Sequence, residues 1–195
     1  WQRLSYVMLP RRWISLLTAA LLITLLDLGH LAGEWVIGGA EAKGLAYVLI
    51  LCGLRAVILG RWGPMWAWFG AASAFHVIVG GWSVLIGGFA WLVAGQERPK
   101  LLTQLPWLVF GFLLTLPGLI PALLLSCGVD AETARLADHI YVVKRLAHHL
   151  VFTEFVPFRY VSFSVVLVAW GVACWQLRTD QKWWRLNRMA IGALL

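Results

Sequence analysis

The side chains able to do acid–base or ionic chemistry fall into four groups along the chain. Asp27, His30 and Glu34 stand at i, i+3 and i+7, so one helix face would carry all three if the helix ran that far. A carboxylate held partly buried at the mouth of a helix bundle has its pKa raised and can act as a general base or hold a cation. The plainer use of Asp27 and His30 is to reach a polar interface from a helix end. Glu41, Lys43 and Tyr47 come next, in GGAEAKGLAY. Lys43 and Tyr47 are one helical turn apart, while Glu41 can pair with Lys43 or cap the helix start. The two glycines before this group would let the backbone approach a ligand closely.

The third group is His76 in AFHVIVGGW, just ahead of Gly80, Gly81 and Trp82. A helix broken at the glycine pair would leave backbone polar groups open for binding beside His76 and Trp82. His76 is then either a buried hydrogen-bond partner or an acid–base group; haem ligation would need a second axial histidine, for which His30 can be proposed. The fourth group lies in ADHIYVVKRLAHHLVF, where Lys144 and His148, and Arg145 and His149, are spaced i, i+4. On one helix these make a basic edge, either a solvated face or a clamp for an anionic group such as a lipid phosphate. Cys52, Cys127 and Cys174 are scattered and form no CxxC pair, and HExxH, Walker A and GxSxG patterns are missing, so no metal site is expected.

The elements that must position these groups follow from composition. The chain is 61% hydrophobic and 13% charged, well above the apolar share of soluble domains. Its apolar residues come in runs long enough to cross a hydrocarbon core of about 30 Å as helices, with no period-2 alternation. The expected fold is an all-α, polytopic integral membrane bundle. Spans are predicted at 13–29, 44–60, 62–79, 80–95, 101–126 and 161–177, with the start of a seventh at 189–195. The stretch 128–160 is expected to form an outer segment with one amphipathic helix capped by Asp130, and Pro157 to stop any helix before the last span. The whole is one transmembrane domain. Because it opens on Trp1 and ends inside an apolar run, it is expected to be a piece of a longer chain.

Six spans divide the charges by side. Arg3, Arg11, Arg12, Arg55, Arg61, Arg98, Lys100, Arg178, Lys182, Arg185 and Arg188, eleven of the 16 basic residues, would lie on one face. The positive-inside rule makes that face cytoplasmic, with the N-terminal end inside. The net charge of +7 is therefore read as a topology signal, and nucleic-acid binding is excluded in favour of membrane lipids as partners.

GGAEAKGLAYVLI, ASAFHVIVGGWSV and HIYVVKRLAHHLV together resemble an uncharacterised bacterial family of large polytopic membrane proteins. The general build is also similar to the membrane glycosyltransferases of the GT-C type. That likeness implies an inner-membrane enzyme moving a sugar from a polyprenyl phosphate to an acceptor at the outer face. Carried over by position, Asp27 or Glu34 would be its base and Lys144, Arg145 or Arg159 its phosphate clamp, although the paired acidic residues common in such enzymes are missing. The alternative is a transporter or a lipid-binding scaffold without catalysis, favoured by the many glycines that allow close helix packing.

Overall fold

Three pairs of glycines, Gly63 and Gly70, Gly80 and Gly87, and Gly111 and Gly118, are each seven residues apart and therefore fall on one helix face two turns apart. The architecture grows from these faces. The computed structural model describes residues 1–31, 41–125 and 127–195, the side chains of Asp27 and Leu28 excepted. Among them there is no strand. The helices are α1 (Gln2–Met8), α2 (Arg12–Gly29), α3 (Ala42–Ile58), α4 (Trp62–Phe75), α5 (Val77–Leu92), α6 (Leu101–Leu124), α7 (Ala131–His139), α8 (Ala147–Leu150), α9 (Pro157–Gln176) and α10 (Gln181–Leu194).

Helix α4 is the centre, packed against α3, α5 and α6. Trp62, Met65, Trp66 and Phe69 recur at helical spacing and are all buried. The Phe69 ring is sandwiched between the Cα of Gly53 on α3 and that of Gly87 on α5, where any Cβ would strike it. Gly70 faces the carbonyl of Gly111, Gly118 faces the carbonyls of Ser73 and Ala74, and Gly63 faces the Trp107 ring, so α4 and α6 run parallel. Gly80 meets Ser73 while Gly87 meets Phe69, so α5 runs antiparallel to α4. Around this block α10 packs on α5 and α3, α1 joins α2 to α3, and α9 packs on α2.

The six-span reading is overturned. Among the described residues two helices, α6 and α9, are long and apolar enough to cross a membrane. The other apolar stretches, Arg12–Leu26 and Val77–Leu92, are too short, and α4 and α5 at 1.5 Å per residue reach about 21 and 24 Å against a core of about 30 Å. The run 62–95 is indeed two helices, but it breaks at His76 and α5 continues straight through Gly80 and Gly81. Gly80 is small because Ser73 touches it; Gly81 faces open space. The expected seventh span is the end of an amphipathic helix that starts at Gln181, capped by Asp180, whose carboxylate accepts from the Trp183 amide at 2.8 Å. Pro157 opens α9 at its first turn, where its missing N–H costs nothing, so that helix begins before residue 161.

The single outer amphipathic helix is also corrected. Asp130 does cap α7, accepting from the amides of Glu132 and Thr133 at 3.1 and 2.9 Å. After His139, however, the chain passes into a π-helical turn, Ile140–Arg145, closed by Leu146 N–H to the Tyr141 carbonyl, and Leu146 leaves the helix altogether. α7 has no buried residue and touches the turn that follows it.

Candidate functional site

The bundle has two polar ends. At the lower end, Glu97 in the turn Gly95–Glu97 accepts from Gln181 Nε2 at 2.8 Å, Arg185 Nε at 3.0 Å and Arg188 Nη1 at 3.2 Å. Arg185 also donates to the Ile58 carbonyl at 3.0 Å, and Lys182 donates to the Val7 carbonyl at 3.1 Å. The turn after α5, helix α10 and the ends of α1 and α3 are thereby pinned together. Burial raises the Glu97 pKa, but the bonds from Gln181 and Arg185 and the charges of Arg185 and Arg188 outweigh it and leave it lowered.

The upper end gathers the starts of α3, α5 and α9 and the ends of α2, α4 and α6. Arg159 Nη1 donates to the His30 carbonyl at 3.0 Å, which satisfies a terminal carbonyl of α2 and sets a cation at the negative end of its dipole. Asp27 belongs to the last turn of α2, but its side chain lies outside the described part, as does Glu34 altogether. Glu41 is the residue before α3; its carbonyl accepts from the Gly44 amide at 3.0 Å, while its exposed carboxylate makes no cap. Lys43 is buried in the first turn of α3 and Tyr47 is half-buried one turn on.

His76 links α4 and α5 by itself, with φ −147° and ψ 99°. Its Nδ1 accepts from the Val79 amide at 3.3 Å, so the ring serves as the N-cap of α5. Trp82 projects outward from α5 and is 62% exposed. Lys144 and Arg145 sit on the exposed π turn, and the bend at Leu146 separates them from His148 and His149, whose rings lie 4.0 Å apart. The two i, i+4 pairs expected there therefore do not share one helix face. Arg145 instead stands 6.0 Å over the Tyr141 ring. Among the described residues no three His, Cys, Asp or Glu side chains converge as a metal site.

The concave feature that sequence reasoning missed is a groove of about 490 Å³ between α4, α5 and α6, within the range of small-molecule sites. Gly70, Ser73, Gly81 and Gly111 form part of its lining together with Trp66, Val84 and Leu108. The Ser73 and Thr115 hydroxyls are already bonded to the carbonyls of Phe69 and Gly111, leaving a surface of hydrocarbon. α5 and α6 both pack on α4 and barely meet each other, which is why the groove stays open. Of the glycines spaced seven residues apart only Gly70 and Gly111 line it, so that spacing marks close helix contacts rather than the groove.

No protein-family model, curated sequence or solved structure matches the chain. The likeness drawn from GGAEAKGLAYVLI, ASAFHVIVGGWSV and HIYVVKRLAHHLV rests on those strings alone.

Proposed function

We propose that the chain belongs to an integral membrane protein that binds a lipid, with one hydrocarbon chain of that lipid lying in the groove between α4, α5 and α6. The observation that carries this reading is that the apolar surface stays unburied. The hydrophobic windows of α6 and α9 are 6% and 0% buried, unlike the core helix of a soluble protein. Leu102, Phe112, Leu113 and Leu123 on α6 and Ile78 and Leu85 on α5 are all exposed, and Phe112 and Leu85 line the groove. Water would penalise such a surface, whereas lipid tails solvate it.

In this reading α6 and α9 cross the bilayer, and the shorter α4–α5 hairpin is embedded beside α6 with its backbone bonds closed internally. Arg98 and Lys100 precede α6, while Arg178 and Lys182 follow α9, which supports a cytoplasmic lower end in a bacterial inner membrane. The groove is the carrier of specificity: it offers no free hydroxyl, so its occupant is apolar along its length.

Gly81 lines the groove, and a Cβ there meets nothing within 4 Å, so Gly81→Leu adds bulk at the groove with no clash at its first carbon. Gly88→Leu, equally open but outside the groove, is the control. The purified protein is expected to carry a tightly bound lipid, detected by mass spectrometry of extracts, that is lost in Gly81→Leu and kept in Gly88→Leu. Equal lipid content in all three proteins defeats the reading.

The lipid-phosphate-linked sugar transferase is the second reading. It is favoured by Arg159, which stands at the end of α2 that carries Asp27 and at the same bundle end as Lys43 and His76. A polyprenyl chain in the groove would bring its phosphate toward that end. Complementation of a deletion strain with Arg159→Gln and Asp27→Asn, with lipid-linked sugars profiled, tests it. Accumulated lipid-linked sugar in well-expressed variants supports transfer, and an unchanged profile rejects it.

A further inference from the structure

The arginines near the N-terminus are explained as topology signals by their sequence positions, but their arrangement in space goes further. Arg3 on α1, Arg12 on α2 and Arg55 on α3 line one pocket of about 530 Å³ together with Gln2, Tyr6 and Val7. Three different helices each contribute one guanidinium. All three arginines are exposed, and among the described residues none has an ion-pair partner. No acidic residue lines the pocket; Glu97, the acidic residue of this end's network, is taken by Arg185 and Arg188.

Like charges brought together without a counter-charge repel one another, so the arrangement favours an anion among them. Two further features add to it. Arg12 is the first residue of α2, a helix of 18 residues whose N-cap, Arg11, gives no side-chain cap, so the free amides of its first turn add positive potential. Lys182 is bonded to the carbonyl of Val7, at the pocket wall, and brings a fourth cation to the rim. The Tyr6 hydroxyl and Gln2 amide supply neutral donors.

The geometry points to a second binding site, at the opposite end of the bundle from Arg159 and His76, where Arg3, Arg12 and Arg55 hold a phosphate group. Guanidinium forks match phosphate oxygens two at a time, which lysine cannot do. The phosphate can belong to an anionic phospholipid in the adjoining leaflet or to a soluble phosphate compound. The site does not depend on the groove being a lipid site, since it shares no residue with it.

The test uses the full chain in phosphatidylcholine nanodiscs. In one arm phosphatidic acid is added and bound lipid is counted by native mass spectrometry; in the other, pyrophosphate is titrated by calorimetry. One phosphatidic acid per chain is expected, and Arg3→Gln, Arg12→Gln and Arg55→Gln are each expected to weaken its retention by about tenfold. Arg55→Lys, which keeps the charge and loses the fork, is expected to fall between. Lys100→Gln, the same charge change at the same end outside the pocket, is expected to weaken it by less than about threefold. Retention of the lipid without pyrophosphate binding identifies a headgroup site; pyrophosphate binding that is lost in the same variants identifies a site for soluble phosphates. If neither probe binds, or if Lys100→Gln weakens binding as much as the pocket variants, the site is overturned.

Discussion

Gly70 and Gly111 meet backbone to backbone: a Cβ on Gly70 would run into the carbonyl of Gly111, and one on Gly111 would lie 2.5 Å from the carbonyl of Trp66. The α4–α6 contact therefore has no room for a single methyl group. Gly70→Ala and Gly111→Ala are each expected to destabilise the bundle by about 1–3 kcal/mol through overpacking. Gly88→Ala, with open space around it, should instead stabilise by up to about 1 kcal/mol from helix propensity. Thermal unfolding in detergent, followed by helical circular dichroism, separates these outcomes, and equal effects at all three positions would contradict the close packing.

His76 offers a way to tell a cap from a catalytic base. His76→Ala should lower stability by about 1 kcal/mol because the Val79 amide loses its acceptor. His76→Asn should restore it, since asparagine caps as well. A base would not be rescued by asparagine, so a stability loss in Ala that persists in Asn counts against the cap.

Asn187 is buried, and its Oδ1 accepts from Trp170 Nε1 at 2.9 Å and from Cys174 Sγ at 3.3 Å, tying α9 to α10. Asn187→Leu leaves the indole donor without a partner and is expected to cost about 1–3 kcal/mol. Maleimide labelling of Cys174, with Cys52 and Cys127 replaced by serine, should then speed up as α9 loosens. Adding Trp170→Phe to Asn187→Leu should recover part of the stability.

Glu97 predicts a dependence on acid. Its folded pKa is lowered from the ordinary value of 4.5, so its contribution is present above that value and is lost as the pH falls through the lower folded pKa. The melting temperature should drop below about pH 4.5 in the natural protein, and this part of the drop should be missing in Glu97→Gln. At neutral pH that variant should be less stable by about 1 kcal/mol, as the pair is partly exposed.

Helix as the sole regular element among the described residues was legible in the runs of apolar residues, and so were the Asp130 cap and the existence of a break between residues 62 and 95. The position of the break was not. A glycine pair reads as a weak point, yet Gly80 is there for contact with Ser73, and the chain turns at a histidine that provides its own cap. Span counting failed because hydropathy measures apolar length without regard to helix ends, and α4 and α5 stop after 14 and 16 residues. The basic edge at 144–149 failed because i, i+4 logic presumes an α-helix, whereas the π turn adds a residue per hydrogen bond. The arginine pocket was hidden for a different reason. Arg3, Arg12 and Arg55 are distant in sequence, and only tertiary packing of α1, α2 and α3 brings them together.

The one-residue link at His76 has a mechanical result. With no slack between α4 and α5, neither helix can slide along the other, and the Phe69 ring keyed between Gly53 and Gly87 blocks the same shift in α3. These three helices are thereby locked in register. α9 is held differently, by α2 along its side and by Asn187, with no buried residue of its own. Displacing α9 would therefore uncover no buried side chain of its own, and Asn187 is what ties it to α10.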